Sequence, residues 1–287
     1  MSEWITISGK FLFLIVAVIA GAWLWANARY RNGMADAETA WADIASRQTE
    51  TADRYTPEMV RDLPEVAQRY LNHAIAPGTP LLRKAELEMA GEFLLGEPGA
   101  QKTFAMLARQ VLAPPHEFVW IARMSSGPVR ISGSDGLHHR HGWTRFWMLH
   151  SLPLVQLAAT ADLDRAAAAR PAIEAIWAPA TMLPANGASW VQTGPDTADV
   201  TFGTEAEAIT ITLRINADGA LKEIWTMRWS DSNVEKTYKI QPFGATIQAE
   251  DNYNGFTIPS RVTVGNHFGT DHFLPFFIAR LTHVRHF

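Results

Sequence analysis

From Leu81 onward the chain abandons helical spacing and breaks into short β-rich runs separated by turn residues. The runs read Lys84–Gly91, Thr103–Ala113, Phe118–Met124, Val129–Gly133 and Leu137–Leu149, then Ser189–Thr193, Ala198–Phe202, Ala208–Ile215, Leu221–Trp229, Ala245–Tyr253, Phe256–Gly265 and His272–His283. About a dozen strands at this spacing predict a large antiparallel sheet, curved as a sandwich or half-barrel. Asn216-Ala217-Asp218-Gly219 and Ser134-Asp135-Gly136 supply residues that tolerate positive φ, so both are predicted hairpin turns.

One stretch interrupts the strands. Asp162–Trp177 (DLDRAAAARPAIEAIW) carries an alanine run of high helix propensity. Asp162 or Asp164 can cap it, and Pro171 should kink or divide it. Upstream, Thr56-Pro57-Glu58 and Asp62-Leu63-Pro64-Glu65 are helix starts, the second leading to an apolar face at Val66, Tyr70 and Leu71. Ala35 to about Arg54 is alanine-rich, charged and free of glycine and proline, with a helical stripe at Ala40, Trp41, Ile44 and Ala45. The fold class is therefore α+β, with helices packed on one face of the sheet.

The segment Phe11–Ala28 (FLFLIVAVIAGAWLWANA) is apolar on every side of a helix. As a helix it spans about 27 Å, close to the hydrocarbon thickness of a bilayer. Trp23 and Trp25 fall where aromatic side chains favour the headgroup layer, and Lys10 can snorkel at the other end. Ala26-Asn27-Ala28 also fits a signal-peptidase pattern, so cleavage is the competing expectation. Lys10 on one side against Arg29 and Arg31 on the other gives only a weak orientation vote. A signal-like start ahead of a β-rich domain implies export, so the expected place is the bacterial inner membrane, crossed once, with a periplasmic domain. The organisation read from the chain is residues 1–10 as a tail, 11–28 as the transmembrane helix, 29–62 as a helical stalk and 63–287 as the β-rich domain.

Composition narrows the function. The 287 residues are 47% hydrophobic and 19% charged, enough to build a core. The net charge is −4 and no basic stripe appears, which argues against nucleic acid as a partner. There is no cysteine, so thiolate metal sites, disulfides and cysteine nucleophiles are excluded.

Several motifs together are similar to a known family. They are Leu63-Pro64, Arg69-Tyr70-Leu71, Pro77-Gly78-Thr79-Pro80, Gly91-Glu92-Phe93, Pro114-Pro115, Phe118-Val119-Trp120, Ala122-Arg123-Met124, Glu174-Ala175-Ile176-Trp177-Ala178-Pro179, Leu183-Pro184, Ala217-Asp218-Gly219 and Gly255-Phe256-Thr257-Ile258-Pro259. The set resembles a bacterial family of membrane-anchored proteins known as domain of unknown function sixty-five forty-four, over about Leu63 to Phe287. That family has no assigned activity, so the resemblance carries over no catalytic residue. In strand and helix order the chain also resembles, distantly, lipoprotein-carrier-like envelope domains. That likeness implies a curved antiparallel sheet closed by helices around an apolar cavity.

Chemistry-bearing residues are few. Leu137-His138-His139-Arg140-His141-Gly142-Trp143 holds three histidines. With a turn at Asp135-Gly136 and a strand from Leu137, alternation puts His139 and His141 on one face, able to share a zinc ion, and His138 on the other. No HExxH spacing supports a metalloprotease, and Gly133-Ser134-Asp135-Gly136 is one residue short of a nucleophile elbow. Glu92, Glu174 and Asp251 are carboxylates that a fold could bring together for acid–base work. Phe146, Trp147, Trp177, Trp190, Trp225 and Trp229 could line a cavity for an apolar ligand. The leading expectation is a non-enzymatic envelope protein without a cofactor. Its partners would be the lipid bilayer and either an apolar, lipid-like ligand or an envelope protein. The alternatives are a metal-dependent hydrolase using His139 and His141, and a structural scaffold.

Overall fold

A computed structural model describes residues 2–47, 52–204 and 207–287, with the backbone alone for residues 2–12. Thirteen strands form a single, wholly antiparallel open sheet. The first six are β1 (Ala85–Leu95), β2 (Lys102–Ala113), β3 (Glu117–Ser126), β4 (Val129–His138), β5 (His141–Met148) and β6 (Leu152–Ala158). The last seven are β7 (Ala188–Gly194), β8 (Thr197–Phe202), β9 (Ile209–Ile215), β10 (Leu221–Ser230), β11 (Lys239–Tyr253), β12 (Phe256–Asn266) and β13 (Leu274–His286).

The strand order is β6-β5-β4-β3-β2-β1-β13-β12-β11-β10-β9-β8-β7. Two meanders thus run outward from a central pairing of the first strand with the last, from Ala85 opposite His286 to Phe93 opposite Phe277. The link from β6 to β7 must then travel from one edge of the sheet to the other. It does so across the concave face as α3 (Ala161–Ile173) followed by short 3₁₀ turns through Asn186. Thr160, rather than an aspartate, caps α3 by accepting from the Leu163 N–H. Pro171 lies in its last turn, where it removes the bond to Ala167, and the α-helix gives way to 3₁₀ geometry at Glu174.

Two other helices complete the domain. Pro64 precedes α2 (Glu65–Ala74), whose buried stripe of Val66, Tyr70, Leu71 and Ala74 packs into the main core. Each large apolar side chain buried this way stabilises by about 1.5–3 kcal/mol. The long α1 (Ser2–Ser46) is continuous from the apolar segment into the first half of the stretch expected as a stalk. Its later turns are no free spacer. Ala37, Ala40 and Ile44 pack on Val111, Val119 and Ile121, on the outer face of β2 and β3. Gly33 sits so close to Trp147 that an added Cβ would lie 2.5 Å from the indole. Ion pairs then join α1 to that face: Asp36 to Arg145 at 2.9 Å, Glu38 to Arg109, and Arg47 to Glu117 at 2.5 Å.

The helical interruption and the Asn216–Gly219 hairpin turn fall where the sequence places them. The other predicted turn does not. Ser134, Asp135 and Gly136 lie inside β4, and the turn is His139-Arg140, both with positive φ (48° and 68°). Gly133 and Gly136 serve close approach instead. Opposite them on β5 stand Phe146 and Trp143: the Trp143 ring fills the space a Cβ would take at Gly136, and the Arg145 carbonyl with the Phe146 backbone and ring fills it at Gly133. The run expected as Leu137–Leu149 is accordingly two pieces, the end of β4 and β5. The strand β6 was not expected: it is a wholly exposed edge with Pro153 inside it, a position where proline breaks no ladder.

His286 ties the crossing segment to the central strand. Its Nε2–H donates to the Trp177 carbonyl at 2.8 Å and its ring lies 4.3 Å from that of Phe256. Burial holds the imidazole down to about 4 from its ordinary 6.5. Above pH 6.5 both folded and unfolded chains keep it neutral; between 6.5 and 4 the unfolded chain takes up a proton that the folded one refuses. Unfolding free energy should therefore fall by about 3 kcal/mol from this group across that window. Denaturant titrations at pH 7 and pH 4 check it: His286→Gln should shrink the difference between them by about that amount.

Candidate functional site

The concave face holds a partly open cavity of about 190 Å³ under α3 and the 3₁₀ turns that follow it. Its apolar wall comes from Phe93 on β1, Trp120 on β3, Phe146 on β5, Phe243 on β11, and the consecutive Phe276 and Phe277 of β13, where a register shift against β12 lets both reach the cavity. These rings pack edge to face and tilted, with Phe93 5.6 Å from Phe276 and Trp120 6.0 Å from Phe146. Ile173, Ile176 and Trp177 roof it from the crossing segment. The cavity exceeds the volume of about 150 Å³ at which an apolar hole in a protein core takes up benzene.

One side is polar and centres on two arginines. Arg170, from α3, donates through Nη1 to Asp135 at 2.5 Å and through Nε to Glu174 at 2.9 Å. Asp135 also accepts from Thr144 at 2.9 Å, and Glu174 from Gln110 at 2.6 Å. Burial alone would lower the Arg170 pKa, but Glu174 and Asp135 raise it above its ordinary value. The guanidinium also sits 4.2 Å over the Phe118 ring. Arg228, on β10, is held by a single protein hydrogen bond, from Nε to the Ala166 carbonyl at 2.9 Å, and lies over Phe243. Burial, and then Arg170, pull its pKa below the ordinary value.

Of the aromatic residues expected to line a cavity, Phe146 and Trp177 do so, with the Trp177 indole anchored on the Pro259 carbonyl. Trp147 is next to Phe146 on a strand, so it faces the other way, 5.4 Å from Tyr30 of α1. Trp190 is core, donating to the Met182 carbonyl beside Tyr70. Trp225 stacks on Phe268, and Trp229 donates to Asp162 and stacks on Tyr238. Neither lines the cavity. Of the three carboxylates, only Glu174 lies there; Glu92 and Asp251 are exposed on β1 and β11.

The histidines separate differently from the expectation. His139 is in the turn and His141 begins the next strand, so strand alternation cannot pair them. His139 lies 3.8 Å from Asp43 and 3.7 Å from Glu117, whereas His141 faces Asp164 at 3.6 Å. The ligand atoms that do converge belong to Asp43, His138 and His139, all within 4.8 Å of one another. There Asp43 of α1 already bonds His138 at 2.8 Å, and the cluster docks α1 onto the hairpin. Burial lowers the His138 pKa, opposed by Glu117.

Sequence reasoning missed Arg170, Arg228, Trp120 and Asp135. Alternation from the buried Ile224 would have put Thr226 and Arg228 on the inner face. Replacing Arg170 by Met should cost about 3–5 kcal/mol, because it strands Asp135 and Glu174 side by side without a counter-charge. Chemical denaturation at pH 7 measures it, and Arg170→Lys should restore only part, lacking the planar fork.

No curated protein sequence matches the chain. Among solved structures it is similar to a LolA superfamily protein from Nitrosomonas europaea, at 8% identity and a TM-score of 0.40, over 77% of this chain and 91% of that one. It is also similar to a DUF1329 family protein from Desulfovibrio piger, at 8% identity and a TM-score of 0.32, over 77% and 90% of the respective chains. Residues 53–278, most of the chain, with the first twelve strands and the start of the last, match the family described as a family of unknown function, DUF6544; the chain belongs to that family.

Proposed function

We propose that the protein is a membrane-anchored binder of an apolar, lipid-like ligand held in the concave cavity. The observation that carries this reading is the cavity itself: about 190 Å³ of space walled by aromatic rings and roofed by a crossing segment. Ordinary core packing leaves few voids larger than a water molecule. An apolar space of this size, with polar groups gathered on one side, has the make-up of a ligand pocket.

The anchor reading rests on α1. The helix is long and apolar enough to cross a membrane, and none of its most apolar window is buried against the protein. The turn between β5 and β6 meets it at the end of the apolar stretch, with Asn27 donating to the His150 carbonyl and Tyr30 stacked 4.8 Å from the His150 ring. Beside that contact Leu149, Leu152 and Leu154 are exposed. Apolar side chains next to a membrane helix suit the headgroup layer better than bulk water. The domain is read as periplasmic, on the inner membrane.

Two experiments test these readings. Mass spectrometry of organic extracts from the purified full chain should find a stoichiometric lipid or fatty acid. Ala245→Phe, which fills the cavity, should cut its occupancy and weaken binding of decanol by at least about tenfold. An empty protein that also ignores decanol would sink the ligand reading. Separately, the protein should stay with membranes through a carbonate wash and keep residues 1–28 by intact mass. A protein cleaved after Ala28 and released by the wash would end the anchor reading.

A further inference from the structure

The polar side of the cavity has donors without acceptors. Both oxygens of Asp135 are engaged, by Arg170 and Thr144, and both of Glu174, by Arg170 and Gln110. The remaining acceptor, the Gln110 amide oxygen, takes Arg170 at 3.4 Å. Arg228 spends only its Nε–H on the protein; among the described residues its two terminal nitrogens have no hydrogen-bond partner and no carboxylate within ion-pair distance. Trp120, lining the same cavity and 4% exposed, has an indole N–H buried without a partner. The Trp120 N–H, left unmatched in an apolar enclosure, costs about 1–3 kcal/mol, and the half-buried Arg228 guanidinium lacks a counter-ion. A sequence keeps such groups where something else completes them.

The chemistry that completes them is specific. A guanidinium edge matches two oxygens of one carboxylate or phosphate, in a fork no neutral group reproduces. The aromatic wall of Phe93, Phe276 and Phe277 offers nothing to a head group but suits a hydrocarbon chain. We propose that the cavity takes a single-chain amphiphile with an anionic head, its carboxylate or phosphate on the outer edge of the Arg228 guanidinium and its chain against those rings. This rests on the ligand-binding reading above and adds the charge and the contact residue. The half-buried guanidinium gains the counter-ion that the fold itself withholds, since Asp135 and Glu174 are committed to Arg170.

Calorimetric titration of the full chain in neutral-lipid nanodiscs, with empty discs subtracted, separates the two claims. The probes are decanoate, decyl phosphate and decanol, which share a chain and differ in the head. At least one anion should bind about tenfold or more tighter than decanol. Preference for decanoate assigns a fatty-acid head, and preference for decyl phosphate a phosphate head. Arg228→Gln should bring both anions to about the level of decanol, while Arg228→Lys should fall between. Equal binding of all three probes to the unaltered protein overturns the inference, as does an anion preference that survives in a folded Arg228→Gln. The comparison of probes on the unaltered chain decides even if the variant fails to fold. Failure of every probe, decanol included, counts instead against the cavity as a ligand site.

Discussion

The pairing of β1 with β13 governs the rest of the molecule. Once the first and last strands meet at the centre of a thirteen-stranded sheet, the two ends of the central connection lie at opposite edges. Strands twist against their neighbours by about 20–25°, and sheets of more than about ten strands curl or split. This one curls, and its concave side receives the only chain segment that has to cross. The helix α3 and its 3₁₀ continuation therefore occupy the hollow, touching β5 on one side and β10 on the other. They keep β6 and β7 apart, so the sheet stays an open half-barrel and does not become a sandwich. The cavity is the part of the hollow that the crossing segment roofs without filling.

A helix crossing a hollow needs fixing, and apolar contact alone would let it slide. Arg170 supplies direction. Its fork reaches Asp135 of β4 on one side and Glu174 of its own next turn on the other, so helix, sheet and 3₁₀ turn meet on one group. A buried network of this kind adds little net stability over a hydrophobic replacement of the whole set, but it is costly to break singly. Its contribution is register: it sets where along the sheet α3 sits, and with it the depth of the cavity.

Much of this was legible in the sequence, and the errors share a cause. The dozen β-rich runs, the helical interruption and the apolar N-terminal segment follow from spacing and composition, which act locally. The hairpin at His139-Arg140 was not legible, because Asp135-Gly136 carries the stronger turn chemistry. The glycines at Gly133 and Gly136 answer instead to Phe146 and Trp143 across the strand pair, a long-range demand that no local rule reports. The same register error paired His139 with His141 and hid His138 behind them. Phe146 and Trp147 are neighbours on a stretch of β5 in regular register with β4, so they present opposite faces and only one of them reaches the cavity. Residue type alone cannot say which of a sheet's two faces encloses a cavity, and the aromatic side chains are spread over both.

The two faces differ most in how they treat cations. Outside, α1 runs along the sheet and answers each basic group it meets with an acid: Asp36 for Arg145, Glu38 for Arg109, Asp43 for His138. These pairs are partly exposed, so each adds little stability, yet together they define how the helix lies. Inside, Arg170 has two carboxylates and Arg228 has none within reach. Arg228 is half-buried against the Phe243 ring at the cavity, where a counter-charge has more effect than it would on the open surface. Among the described residues the cavity's second cation has no carboxylate within ion-pair distance, so the charge that would answer Arg228 is left to whatever the cavity binds.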